Sequence, residues 1–197
     1  MTLVWQQSLL AAAEPACDET FGGAERRDLG SGAWLETVPR WVDGADTLVA
    51  TVLGDAPWAE HARTMYDQVV VEPRLSTGLW FDPPQVVAQM AAALSQRFDR
   101  DICKVSANLY RDGRDSVAWH GDRVGRESDD TVVAIVSLGS PRRFLLRPVG
   151  GGESIRLTPG SGDLLVLGGT AQSTWQHSVP KVARTGTRIS VMFREAY

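Results

Sequence analysis

Histidine is scarce in this chain, with three in 197 residues. Cysteine is scarcer: only Cys17 and Cys103 are present, which excludes a disulfide framework and suits a reducing compartment. No apolar run is long enough to span a bilayer. The longest near the start, residues 9–13, has no basic residues ahead of it, so neither a signal peptide nor a membrane anchor is expected. Internal repeats and low-complexity tracts are absent too. Positive charge is not in excess: 20 Lys and Arg stand against 24 Asp and Glu, a net charge of −4. That balance gives no global pull towards nucleic acid, and such a partner would have to be met by a local basic patch. A cytoplasmic protein is expected.

A length of 197 residues, with 43% hydrophobic and 22% charged residues, suits one soluble domain with a sizeable core. Residues 1–32 are poorly patterned and read as a loosely packed arm ahead of a domain spanning 33–197. Alternation over residues 33–38 predicts a short strand. Ala45, Leu48, Val49, Val52 and Leu53 recur at helical spacing behind a cap at Asp43 or Asp46. Trp58 reads as core, and a strand is expected around 69–71. Asp82-Pro83-Pro84 begins a second helix running to about Phe98. Its inward face would carry Val86, Met90, Ala93, Leu94 and Phe98, and the prolines suit its first turn.

Beyond residue 100 the spacing predicts eight strands, at 104–111, 116–121, 131–138, 142–148, 154–158, 163–167, 173–177 and 187–193. Turn signals such as Arg111-Asp112-Gly113 separate them. The expected fold is mainly β with flanking helices: a sandwich or jelly roll with its core at about 103–197, buttressed on one outer face by the N-terminal strand and helices.

Two of the three histidines carry the chemistry. His120-Gly121-Asp122 sets an imidazole and a carboxylate at i and i+2 of a predicted strand, hence on one face. His177 would supply a third ligand. Two histidines and one carboxylate suit non-haem Fe(II), because coordination positions stay open for a co-substrate and O₂. Asn108 and Tyr110 share one strand face, and Arg188, Ser190 and Arg194 share another. Turned inward, these groups need a polar partner. Two guanidiniums need an anion, and arginine grips carboxylates in bidentate fashion. A dicarboxylate co-substrate satisfies both demands. Taken singly, each residue has an ordinary structural explanation, such as a satisfied core polar group or a solvated edge. One iron-and-dicarboxylate site accounts for all of them.

The sequence resembles the AlkB family of Fe(II)- and 2-oxoglutarate-dependent dioxygenases. The matching text runs from Asn108-Leu109-Tyr110 through Trp119-His120-Gly121-Asp122. It continues in residues 134–139, 142–144, 162–167, 175–180 and 188–194, with a weaker match from Trp58 that includes Pro73-Arg74-Leu75. The resemblance implies a double-stranded β-helix, the jelly roll. It implies Fe(II) held by His120, Asp122 and His177, and 2-oxoglutarate held by Asn108, Tyr110, Arg188, Ser190 and Arg194. Arg188 would take the distal carboxylate. Ser190 stands where the family usually has asparagine and keeps a hydrogen-bonding group.

The activity so implied is oxidative demethylation of N-alkylated nucleobases such as 1-methyladenine and 3-methylcytosine, in DNA or RNA. O₂ and 2-oxoglutarate are consumed, and succinate, CO₂ and formaldehyde are released. A monomer acting on single strands is expected, since the base must leave its stack. Tyr66 and Trp80 are candidates for stacking on the base, with Arg74 and Trp119 as further substrate contacts. Arg142, Arg143, Arg147, Lys181 and Arg184 would support the strand. Two departures stand out. The aromatic hairpin that usually follows Pro-Arg is shortened here, and Arg123-Val124 replaces the acidic pair that follows His-x-Asp in some relatives. The net acidity and the short hairpin keep a second reading open, the same chemistry on a protein or small molecule. A third, a non-catalytic barrel, would have no need of three convergent ligands.

Overall fold

The computed structural model describes residues 13–65, 68–122 and 129–196. In chain order its elements are β1 (Ala16–Cys17), β2 (Glu25–Gly30), β3 (Ala33–Val38), β4 (Val42–Asp43), α1 (Ala45–Asp55), β5 (Ala59–Met65) and β6 (Gln68–Ser76). There follow α2 (Gln85–Phe98), β7 (Lys104–Tyr110), β8 (Val117–His120), β9 (Thr131–Gly139), β10 (Phe144–Pro148) and β11 (Ile155–Leu157). The chain closes with β12 (Leu164–Gly169), α3 (Ala171–Thr174), β13 (Trp175–Val179) and β14 (Arg188–Arg194). A large antiparallel sheet has the order β2-β3-β12-β9-β14-β7-β6-β5, and a small one the order β11-β10-β13-β8. All eight strands expected beyond residue 100 form, and the two-sheet arrangement is that of a jelly roll.

β9 explains the layering. Its text is almost unbroken apolar, as a strand covered on both faces requires, and every residue in it is buried. Val132, Ala134, Val136 and Leu138 point to a cluster built with Leu48, Val49 and Val52 of α1 and Val87, Met90 and Leu94 of α2. Val133 and Ile135 point the other way, to Phe144, Leu146 and Val179 of the small sheet. The period of two repeats on the neighbours. Ile189, Val191 and Phe193 of β14 face the helices, as do Val105, Ala107 and Leu109 of β7. Each fully buried Val, Leu or Phe contributes roughly 1.5–3 kcal/mol, so the helix-side cluster anchors the sheet. The other face of β14 and β7 is thereby left for polar residues. Among the described residues no helix is long and apolar enough to cross a membrane.

Several expectations are corrected. The helix that was to be capped by Asp43 or Asp46 has Gly44 at its N-cap, with φ 63° and no side-chain cap. A Cβ there would lie 2.7 Å from the Ala13 carbonyl oxygen, so the approach of the preceding chain selects glycine over a capping carboxylate. α2 begins at Gln85, with Pro84 as its N-cap, so the prolines lie just ahead of the first turn. Its buried face is Val87, Met90, Ala91, Ala93 and Leu94, while Val86 and Phe98 are half-buried.

The stretch ahead of residue 33 also differs from a loose arm where it is described. β2 pairs with β3 along an edge of the large sheet. Phe21 is 5% exposed and stacks on Trp41 at 5.5 Å. β2 is polar and almost wholly exposed, so it carries no alternation by which sequence could mark it. The boundary expected at residue 33 falls inside a hairpin.

Candidate metal centre and co-substrate cleft

β8 and β13 are paired neighbours in the small sheet, with His120 opposite His177. The register shifts between this pair and Val117–Val179, and such a bulge re-aims a side chain towards a site. Asp122 was expected on the same strand face as His120, but β8 stops at His120 and Asp122 lies in the irregular segment beyond it. Gly121 permits the close approach of that segment to the α3 backbone: a Cβ there would lie 2.4 Å from the backbone oxygen of Gln172.

The three side chains still converge. The imidazole rings have centroids 4.2 Å apart, and Nε2 of each lies 4.0 Å from Asp122 Oδ1. One potential ligand atom from each residue lies within 4.8 Å of the others. His120 Nδ1 is 2.8 Å from the Ala118 carbonyl oxygen. Donation there leaves the Nε2 lone pair for a metal. His177 stacks on Phe144, with centroids 5.3 Å apart and planes 15° apart. Arg194 Nε donates to Asp122 Oδ2 at 2.8 Å, and its Nη2 is ion-paired with the same oxygen at 2.8 Å. Both bonds fall on Oδ2, so Oδ1 remains for a cation. Burial resists ionisation of Asp122, but Arg194, His177 and His120 outweigh it and hold the carboxyl at about 2. Burial pushes the His177 imidazole down to about 4, with the Asp122 carboxylate opposing it. At neutral pH the trio therefore offers a carboxylate at Asp122 and a neutral imidazole at His177, with the Nε2 of His120 turned to the same point.

The inner faces of β14 and β7 stand beside this trio. Arg188 pairs in register with Tyr110, and Ser190 with Asn108. A cleft of about 770 Å³ takes in the three candidate ligands together with Asn108, Tyr110, Ser190 and Arg194. Arg188 is not part of that lining. Its guanidinium carbon lies 5.3 Å from the centroid of the Tyr110 ring, which is. Arg188 is 1% exposed and donates from Nη2 to Ser137 Oγ at 3.0 Å. Its Nε and Nη1 are buried without partners. Burial depresses its pKa, with Tyr110 opposing. A buried cation with two unmet donors is costly, and a carboxylate would meet both. Arg194 differs from expectation in being committed to Asp122 and, through Nη1, to Ser106 Oγ at 2.8 Å. Asn108 Nδ2 donates to the Met192 sulfur at 3.2 Å, a weak acceptor that a carboxylate would outcompete.

Residues 42–194 match the 2OG-Fe(II) oxygenase superfamily. The chain belongs to that superfamily. Its cofactor and co-substrate are accordingly Fe(II) and 2-oxoglutarate, and the trio of His120, Asp122 and His177 is a group that can hold the iron. Among curated proteins the chain is similar to alpha-ketoglutarate-dependent dioxygenase alkB homolog 3 of Mus musculus and of Homo sapiens. Each is 27% identical over 187 residues, covering 81% of this chain and 65% of the relative. The chain thus spans just under two thirds of the length of those relatives. DNA oxidative demethylase ALKBH2 of Arabidopsis thaliana is 34% identical over 111 residues, covering 44% of this chain and 35% of that protein. Among solved structures, OsALKBH1 has a TM-score of 0.59 at 16% identity, covering 87% of this chain and 100% of that one. An oxidoreductase of the 2OG-Fe(II) oxygenase family from Burkholderia pseudomallei has a TM-score of 0.56 at 14% identity, covering 81% of this chain and 84% of that one. These two likenesses are of fold.

The outer wall of this oxygenase cleft sorts the remaining candidates. Arg74 lines it and is paired to Glu72 at 2.9 Å. Trp119 lines it, with the Arg147 guanidinium 4.1 Å from its ring centroid. Trp80 is corrected: it is 4% exposed and packed in the helix-side core, where no base can stack on it. Tyr66 lies outside the described residues, as does Arg123-Val124. Arg142 is corrected as well. It is buried, and its Nη1 and Nη2 donate to the carbonyls of Asp112, Asp115 and Pro180, so it braces two loops rather than meeting a strand. Arg143, Lys181 and Arg184 are exposed. The segment that follows Pro73-Arg74 is brief, since β6 ends at Ser76 and α2 begins at Gln85. Sequence reading missed Gln172, Ser106 and Phe144 as supports of the trio. None sits in a spacing that advertises chemistry, and only the folded chain brings them to it.

Proposed function

We propose that this chain is an Fe(II)- and 2-oxoglutarate-dependent dioxygenase that oxidatively demethylates N-alkylated nucleobases, such as 1-methyladenine and 3-methylcytosine, in single-stranded DNA or RNA. One observation carries the chemistry. A convergent His120–Asp122–His177 trio stands in a cleft beside a buried arginine with two unmet donors. The nucleobase assignment is supported by the relatives, which are named as alkB homologues and, in one case, as a DNA oxidative demethylase.

Fe(II) with bound 2-oxoglutarate and O₂ supplies the oxidising power that the twenty side chains lack. The chain's own residues bind and orient. His120, Asp122 and His177 would hold the metal. Arg188, whose Nε and Nη1 are buried without partners, would take the distal carboxylate of 2-oxoglutarate, with Tyr110, Asn108 and Ser190 completing the grip. Arg194 keeps Asp122 ionised and turns Oδ1 to the metal. Phe144, stacked on His177, shields that side of the site from water. Trp119 and Arg74, on the rim, meet a base that has left its stack. One oxygen atom of O₂ would enter the methyl group and the other the succinate formed from 2-oxoglutarate, and the resulting hydroxymethyl group would break its bond to the base nitrogen and leave as formaldehyde.

The test is formaldehyde release from single-stranded DNA carrying 3-methylcytosine, with and without 2-oxoglutarate. Release that needs the co-substrate and stops in Asp122→Ala is expected. Turnover of 2-oxoglutarate to succinate with no formaldehyde from any methylated oligonucleotide would instead favour a protein or small-molecule substrate.

A further inference from the structure

We propose that Gln172 is a positioning residue that sets the affinity of this centre for a divalent metal, acting through the backbone of Asp122. The proposal rests on the reading of His120, Asp122 and His177 as metal ligands. Arg194 holds the carboxylate of Asp122, but a carboxylate held at its tip still swings if its backbone moves. The backbone is held elsewhere. Asp122 N–H donates to Gln172 Oε1 at 2.8 Å. Gln172 is 5% exposed and sits on α3, the single turn of helix that leads directly into β13 and His177. One side chain therefore ties the segment bearing one ligand to the element that delivers another.

The contact is close and fixed. Gly121 packs so tightly on α3 that a Cβ would lie 2.4 Å from the Gln172 backbone oxygen. α3 is itself anchored: Thr170 Oγ1 donates to the Ser31 carbonyl at 2.8 Å, joining it to the turn between β2 and β3. The Gln172 amide also has one permissible orientation. Turned over, its NH₂ would face the Asp122 N–H, donor against donor. In the orientation it keeps, Nε2 is buried without a partner. Packing alone does not select such a group, because leucine or methionine would fill the volume without an unmet donor. The acceptor oxygen is what those residues cannot supply. Partners one step removed from a metal typically change its affinity by about 10–100-fold when lost.

The measurement is Mn(II) binding to the metal-free protein without 2-oxoglutarate, followed by the electron paramagnetic resonance of free Mn(II). Gln172→Met, close in volume but without an acceptor, is expected to raise the Kd by about 10–100-fold. Gln172→Glu, whose carboxylate accepts the same N–H, is expected to restore most of the affinity, which a merely space-filling role would not predict. The visible spectrum of the Co(II)-saturated protein is expected to change in Gln172→Met and to return in Gln172→Glu. Should Gln172→Met fail to fold, Gln172→Asn withdraws the amide by one methylene and is expected to weaken Mn(II) binding in the same direction. Wild-type Kd and spectrum in the folded loss variant overturn the proposal while leaving the metal reading intact. A wild-type protein that binds no Mn(II), or binds it undiminished after Asp122→Ala, overturns the metal reading and this proposal with it.

Discussion

Replacing Arg194 by methionine removes the cation that keeps Asp122 ionised. In the metal-free protein the Asp122 carboxyl is held at about 2 against an ordinary 3.8. At roughly 1.4 kcal/mol per tenfold change in proton affinity, that gap corresponds to about 2–3 kcal/mol of folding stability. Burial alone acts in the opposite sense, so removing Arg194 forfeits more than the net figure, approaching the roughly 3–5 kcal/mol typical of breaking a buried pair from one side. The sign fixes the pH dependence. A carboxyl depressed on folding contributes stability that is fully present above 3.8 and is lost as pH falls through about 2. In Arg194→Met, burial is left to dominate, Asp122 is raised, and the variant recovers relative to wild type as acid protonates it. Urea unfolding of the metal-free proteins, followed by tryptophan fluorescence between pH 7 and pH 3.5, reads the difference. A deficit of about 3 kcal/mol at pH 7 that shrinks towards pH 3.5 is expected. An equal deficit at both ends would refute the reasoning, since the loss would then be one of packing rather than of charge.

Three further outcomes are expected. Arg188→Met is expected to raise the apparent KM for 2-oxoglutarate by about a hundredfold or more, as loss of a bidentate charged contact does, while apo stability holds or rises because two unmet donors disappear; unchanged KM would remove Arg188 from co-substrate binding. Trp80→Ala is expected to cost about 3–5 kcal/mol of stability and to leave KM for methylated oligonucleotides unaltered in the folded fraction, which steady-state kinetics below the melting point can check. His177, neutral down to about 4 against an ordinary 6.5, binds fewer protons folded than unfolded within that window, so apo stability is expected to fall as pH drops from 6.5 to 4. The His177→Asn variant should lose that slope in acid titrations of urea unfolding.

Sequence by itself determined what periodicity can determine. Strand alternation set Arg188, Ser190 and Arg194 on one face of β14 and Asn108 with Tyr110 on one face of β7, and the register found between them is Arg188 to Tyr110 and Ser190 to Asn108. The scarcity of histidine made His120 and His177 conspicuous, and the eight-strand core was readable from turns and apolar runs. Alternation states which residues share a face. It does not state what lies against that face, nor where a strand stops.

Tertiary structure decided the rest. Trp80, an aromatic near the cleft in sequence, packs beneath the sheet because α2 covers it. Arg142, one of several cations in the text, is consumed by three carbonyls that only the folded loops bring together. β8 ends at His120, so Asp122 converges with His177 from the irregular segment beyond the strand, held by Arg194, 72 residues away in the chain, rather than by strand geometry. β2 joined the sheet with no apolar pattern to announce it, since an exposed edge strand is held by backbone hydrogen bonds that any sequence can make. Gln172 reached Asp122 across 50 residues of chain. Local sequence encodes local geometry, and contacts of that span exist only once burial has closed the chain upon itself.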